Sequence, residues 1–348
     1  MAGHHPLSLQ WSKIFVWQLT RNQDCLRSNE SWAMPFRTSM SISQHFALRK
    51  ERPSSDWLPP GIQPTQAVPA LSGFALFGHA AEGELSFCDR TPGSTPLVPA
   101  PGSMVLCPPE LAPQLRERFP TVHVLEHGDA RAAFIDLAHR LLAEDAVQVG
   151  SDVPRPFGID PTAHIASCAV IHPEVRIERG ARIGNHCVIH RGCWIGMDAV
   201  IRDNAVIGVD GINAYRGIDG KMRKFPHFAG VRIGAECEIG ANVVIARGIL
   251  TDTTIGNGST IGNLCNIGHG TMIGAGVWIS VGTLVGGHTT IGDEATLGLG
   301  VAVRDNLFIG AGTHVGMGSV VVRGTSPGTS VFGNPARPVP RLSAGPQR

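Results

Sequence analysis

The residues best placed to do chemistry in this sequence are two histidines set among glycines, His269 in LCNIGHGTMIG and His288 in LVGGHTTIG. Gly287 follows His269 by eighteen positions, with Gly286 and His288 adjoining it. If eighteen residues close one turn of the chain, the His269 imidazole faces backbone N–H groups that no side chain covers. A general base beside exposed amide donors is what acyl transfer needs, the base removing the acceptor's proton while the amide binds the developing oxyanion. A solvated histidine near an outer corner is the plain alternative, and the glycines opposite His269 weigh against it.

A second concentration of polar groups is VDGINAYRGIDGKMRKFPHFAG, within the segment 209–232. It carries Asp210 at its start and is expected to project Tyr215, Arg216, Lys221, Arg223, Lys224 and His227 away from the coil described below. So many cationic and hydrogen-bonding groups on one loop point to ligand contact rather than decoration. Arg304 and Arg323, nineteen apart, form a basic step suited to a pantetheine or nucleotide phosphate, unless both are simply solvated. His172 and His190 are eighteen apart, with His186 four before His190. Zinc would need three converging ligands and an open water position, which this spacing does not supply, so no metal is expected.

What must position these groups is a repeat of six. From Ile159 to Val321 an aliphatic residue stands at almost every sixth place: Ile159 to Ile207 in one run, Ile249 to Val321 in another, with Ile233, Ile239 and Ile245 between. Neither a helical period of 3.6 nor a strand period of 2 yields six by itself, whereas short strands joined by tight corners do. The reading is a mainly β protein, a left-handed parallel β-helix of hexapeptide repeats. The position two before each aliphatic residue also faces a narrow interior and carries small residues, among them Cys187, Cys193, Cys237 and Cys265. Glycine commonly follows the aliphatic residue, where a sharp corner favours the absence of Cβ. Three hexapeptides per coil give about eight coils, a prism roughly 40 Å long at ~4.8 Å per strand.

The 348 residues leave room for a second unit before the prism, and 29 basic against 28 acidic groups give no electrostatic case for nucleic acid or a membrane surface. No apolar run is long enough to span a bilayer. Eight cysteines without metal or disulfide spacing fit free thiols in a reducing cytoplasm. Residues 1–51 read as a poorly ordered or over-extended start, with initiation near Met34 or Met40 an alternative, and 52–69 as a proline-rich linker. Residues 70–147 read as a small α/β domain that binds the acceptor or its nucleotide. It has strands near Phe74, Leu85, Met104 and Val122 and a helix capped by Asp129. The prism is expected over 158–324, with 325–348 as a tail.

VVIARGILTDTTIGNGSTIGNLCNIGHGTMIG resembles the core of the UDP-3-O-acylglucosamine N-acyltransferases of lipid A biosynthesis. So do the loop from Asp210-Gly211 to Lys224-Phe225-Pro226, the upstream LSGFALFGHAAEGELSF, and VGMGSVVVRGTSPG. The resemblance covers roughly residues 70 to 335. It implies a homotrimer that takes an acyl group from acyl carrier protein, with His269 as the base, Gly287 as the oxyanion-binding amide and Asn263 as an active-site asparagine. It also implies that Phe87 stacks on the nucleotide. The chain departs from that family at Gly262, where the family has aspartate, and at Asn306, where it has a second histidine. After Phe87 it reads CDRTPGSTP, and the family's C-terminal helix has no counterpart. These departures imply a divergent relative with another substrate.

The closing GNPAR resembles the tail of coenzyme-A-dependent sugar and serine acetyltransferases, which brings Asn334 and Arg337 to the donor side with Gly286, Arg304 and Arg323. The spacing of His288 from His269 resembles that in the O-acyltransferase opening lipid A synthesis. With the family's carboxylate replaced by Gly262, Asp252 is the expected orienting partner of His269, because it lies eighteen residues before Gly270. The expectation is therefore a cytoplasmic homotrimeric acyltransferase. It moves an acyl group from an acyl carrier protein or coenzyme A thioester to an amine, before a hydroxyl, of a nucleotide-linked sugar, without metal or other cofactor. Its rivals are a short-chain acetyltransferase and a non-catalytic scaffold.

Overall fold

The computed structural model describes residues 45–60, 62, 67–91, 98–144 and 157–340. Strands of mostly two residues wind into three ladders, two of eight strands and one of ten, parallel except for the last strand of the third. Each residue pairs with the one eighteen further on, as in Arg182 with Val200, Ile189 with Ile207 and Thr260 with Trp278. This is the left-handed hexapeptide β-helix that the period of six implies. Its inward aliphatics, from Ile177 to Val331, form one continuous buried column.

The small inward residues are buried with them, and the hydroxyls among them are satisfied within the column. Ser259 donates to the Gly274 carbonyl at 2.7 Å and Thr283 to that of Gly298 at 3.2 Å. Each therefore avoids the cost of an unpaired buried polar group. Cys187, Cys193, Cys237 and Cys265 are buried, and burial raises all four thiols, Cys193 to about 12 and Cys237 to about 11. Since the thiolate is the reactive species, alkylation of the native protein should modify exposed Cys168 before any of these four. Mass spectrometry of the alkylated protein checks this, and early labelling at Cys265 would mean that the inward register is wrong.

The glycines after the aliphatic residues have a different cause from the one expected. Apart from Gly208 their backbone is not left-handed; that conformation falls two positions later, at Gly270 (φ +63°), His288 (φ +55°) and Asn306 (φ +55°). Glycine is needed because the next coil comes so close: a Cβ on Gly268 would lie 2.5 Å from the Gly287 nitrogen.

The regular spacing breaks three times, the last near the end, where His314 pairs with Ser330 only sixteen residues on. Ile195 pairs with Ile233 across the inserted loop, and Ile233 pairs with Ile255 across a second, four-residue insertion. Ile249 therefore does not begin a run of the column, as the period of six suggested; it packs with Leu250 in a different core.

That second core belongs to the N-terminal domain. Its sheet has five strands in sequence order, β1 (His45–Arg52), β2 (Leu71–Ala75), β3 (Glu84–Phe87), β4 (Met104–Cys107) and β5 (His123–Glu126), parallel except for β1. The Ala130–Ala143 helix packs on it, its first turn closed by Asp129, which accepts from the Ala132 N–H at 3.0 Å. Strand β1 and the helical turn Ser54–Trp57 correct the reading of this stretch as disordered start and linker: β1 pairs with β2, and Trp57 is fully buried. Met34 and Met40 lie outside the described residues. At the other end, residues expected as a tail continue the ladder, Ser330 pairing with His314, and Arg337–Val339 folds back on Ser330–Phe332 as a hairpin.

Phe225, Phe228, Ala229, Ile249 and Leu250, all from the two insertions, complete the core of the N-terminal domain. Phe228 stacks on Phe74 with ring centroids 5.3 Å apart. The domain is thus seated on the prism by the same loops that approach His269. Among the described residues no helix is long and apolar enough to cross a membrane.

Candidate active site

One corner of the prism carries, coil by coil, Arg247, His269, Gly287, Asp305 and Arg323, each two positions after an inward aliphatic residue in the ladder from Ile245 to Val321. The imidazole of His269 lies against Gly287: a Cβ there would stand 2.7 Å from its Cε1 and 2.8 Å from its Nε2. Gly287 is glycine because the imidazole occupies the place of its side chain. At the equivalent place on other coils, the amides of Asn185, Ala235, Ala241 and Ala275 donate to Asp203, Asn257, Asn263 and Asp293 of the next coil, at 2.7 to 3.0 Å. Among the described residues the Gly287 amide makes no such bond.

Two further imidazoles meet His269 edge to face, His288 at 4.7 Å and His227 at 5.6 Å between centroids. His227 was expected to project away from the coil with the rest of the loop. It instead turns in and is buried, because Phe225 and Phe228 on either side anchor the chain in the second core. Gly211 covers His269 and His227 from the loop's other end, its absent Cβ 2.9 Å from the His269 Cδ2.

Burial lowers the affinity of all three imidazoles for a proton. His227 falls to about 4, against an opposing pull from Asp210, and His288 falls to about 3, with His269 and His227 adding to the effect of burial. His269 is also lowered by burial, opposed by the carboxylate of Asp305. All three rings are therefore neutral near pH 7, the state in which an imidazole accepts a proton. The His269 Nδ1 is buried without a hydrogen-bond partner among the described residues, while Nε2 lies on the Gly287 side.

Asp252 is not the orienting carboxylate. It is fully buried, ion-paired with Arg232, and accepts from the Gly230 N–H at 2.8 Å. The count of eighteen still holds at the adjoining strand, Thr254 pairing with Met272, but the Asp252 side chain is spent on Arg232 and Gly230 rather than on His269. Asn263 stands on the preceding corner, where its side chain accepts from the Ala241 N–H at 2.8 Å.

The other expected ligand contacts divide between two places. Asp210 is exposed, 4.0 Å from the guanidinium of Arg247. Tyr215 and Lys224 sit in the ribbon Ala214–Arg216 with Met222–Lys224, tied to the N-terminal domain. The Tyr215 hydroxyl donates to Asp129 at 3.0 Å, the Lys224 carbonyl bonds the His139 ring at 2.7 Å, and Arg223 pairs with Asp136 at 2.9 Å. Arg131 lies between the rings of Phe87 and Tyr215, 5.5 and 5.1 Å from their centroids. Phe87 is thus placed with Tyr215 rather than with His269.

Gly286 and Asn306 flank the corner, the Asn306 side chain donating to Asp305 at 2.7 Å. Arg304 and Arg323 are exposed two and three coils beyond His269 in the ladder direction, while Asn334 and Arg337 are exposed in the terminal hairpin. His172 and His190 stack at 4.8 Å, and among the described residues no group of three potential metal ligands converges. Asp305 escaped the sequence reading, although it could have been found by carrying the count from His269 through Gly287 one coil further, and Gly211 was read only as the start of the loop.

No family model and no curated protein matches the chain. Among solved structures it is similar to LpxA from Acinetobacter baumannii, with 24% identity over 52% of this chain and 70% of that one, TM-score 0.41. It is also similar to the UDP-N-acetylglucosamine acyltransferase of Francisella novicida, with 26% identity over 52% and 67%, TM-score 0.41. A third is a point mutant of perosamine N-acetyltransferase from Caulobacter crescentus, in complex with CoA and GDP-perosamine, with 21% identity over 70% and 78%, TM-score 0.20.

Proposed function

We propose that this protein transfers an acyl group from a pantetheine thioester, carried by acyl carrier protein or coenzyme A, to an amine of a nucleotide-linked sugar or a related polar molecule. The observation that carries this reading is the His269 imidazole lying on the side-chain-free Gly287, whose amide is not used by the coil. His269 Nε2 takes the proton as the acceptor nitrogen attacks the thioester carbon. The Gly287 N–H donates to the resulting oxyanion, and collapse of the adduct breaks the carbon–sulfur bond. The sulfur leaves as a thiol, taking the proton back from the imidazolium.

The site needs a second wall. His269 lies on a corner of the prism rather than in a closed cavity, and a neighbouring prism in a homotrimer would supply the missing side. The loop and the N-terminal domain would grip the acceptor, with Phe87, Tyr215 and Lys224 on the domain side and Asp210, His227, His288 and Asn306 nearer the base. Gly286, Arg304, Arg323, Asn334 and Arg337 would face the donor. The seven free thiols among the described residues suit a reducing cytoplasm.

Thiol release tests the reading, measured with acyl carrier protein and coenzyme A thioesters of graded length and a panel of nucleotide amino sugars. Acceptor-dependent release is expected, and preference for acetyl-CoA would favour the short-chain reading. No release with any pair, or full activity from a monomer by light scattering, would overturn the respective part of the proposal.

A further inference from the structure

The proposed base has lost both expected carboxylates: Gly262 stands where the resembled family has one, and Asp252 is committed to Arg232. Another lies on the base's own corner. The ladder pairs Ile267 with Val285 and Val285 with Val303, so Asp305 stands two coils from His269 in the same register. Between them is Gly287, whose missing side chain is the space the imidazole enters. Asp203, Asn257, Asn263 and Asp293 spend a side-chain oxygen on the amide of the coil below, whereas Asp305 accepts from the Asn306 side chain at 2.7 Å.

We propose that Asp305 is the charge partner of His269, a positioning residue that faces the imidazole across Gly287 and stabilises the imidazolium formed when the base takes a proton. The inference rests on the acyl-transfer reading for its role in catalysis, but not for the contact itself. The effect of Asp305 on His269 is opposite to that of burial, as a nearby carboxylate requires. The other groups around His269 act differently. His288 from the coil above and His227 from the loop are both neutral near pH 7, and Asp210 and Arg247 oppose each other beside His227. Arg304 and Arg323 flank Asp305 in sequence and in the ladder.

The test is the titration of the His269 ring, followed by long-range nitrogen–proton NMR in Asp305→Asn, Asp305→Glu and the unaltered chain, with His269→Ala to assign the signal. Asp305→Asn should lower the His269 midpoint and Asp305→Glu should restore most of it, with Tm unchanged in both. In the assay, Asp305→Asn should move the acidic limb of kcat/KM to lower pH. It should also reduce kcat roughly three- to tenfold, the response of general-base catalysis to a weaker base. An unmoved His269 midpoint in folded Asp305→Asn would overturn the inference whatever the assay shows. A moved midpoint without acyl transfer would uphold the contact and sink the function.

Discussion

Replacing His269 with alanine should lower turnover by roughly 10²- to 10⁴-fold, the range for deleting a general base, while the assembly and its Tm stay nearly unchanged. The ring lies outside the aliphatic column, against His227, His288, Gly211 and Gly287, so its loss opens no cavity in the core. Its pH signature has a definite sign. Burial places the His269 midpoint below the ordinary 6.5, so kcat/KM should hold near neutrality and fall as acid protonates the ring. His288→Ala should cost less, and because His288 lies at about 3 it should leave that limb in place. Full activity in His269→Ala with a productive substrate pair would remove the mechanism and favour the scaffold reading.

Gly287→Ala should also be severe, for a reason that separates geometry from the amide. The variant keeps its N–H, and Gly287 is not in the left-handed region, so alanine meets no backbone penalty. Its Cβ would instead stand 2.7 Å from the His269 ring, and the base must move. A displacement of about 1 Å at the reacting group is enough to cost roughly 10²-fold in kcat. In the double variant with His269→Ala the added methyl should change little, since the ring it would displace is gone. Equal and independent losses from the two substitutions would show that alanine disturbs something other than the base. Gly286→Ala is the contrasting control: its Cβ would meet the Asp305 backbone nitrogen, so there the coil itself should lose Tm.

Much of the prism was legible because a period of six has one reading in terms of backbone geometry, and the ladder from Ile255 to Val321 follows it residue by residue. The step from Ile245 to Ile249 is where that logic misled. The period was carried through a phase break. Asp252 was misjudged for another reason: its distance along the chain was right, but a count says nothing of the buried Arg232 that claims its carboxylate. His269, Gly287 and His288 were brought together correctly in space because no insertion lies between them. His227 was misjudged for a different reason: its loop looked polar, yet Phe225 and Phe228 tie it to a core contributed by a distant part of the chain. Strand β1 was hidden by its charged sequence HFALRKER, which shows little of the two-residue alternation of a half-buried strand. It is set by pairing with β2 rather than by its own pattern.

The two ends of the column are finished differently. At the upper end the hairpin Ser330–Phe332 and Arg337–Val339 closes the stack and Val331 is buried. At the lower end Ile159, an inward residue by register, is 49% exposed, and among the described residues the first strands have a neighbour on one side only. A solenoid whose coils touch only their neighbours unfolds like a zipper, from whichever terminus is weakest. Here melting should begin at Gly158–Ile159 and travel upward, so hydrogen exchange should be fastest there and slow progressively toward His269. Heat or a pulling force would consume several turns before reaching the histidines, and partial unravelling could go unnoticed in any measurement that reports only on catalysis.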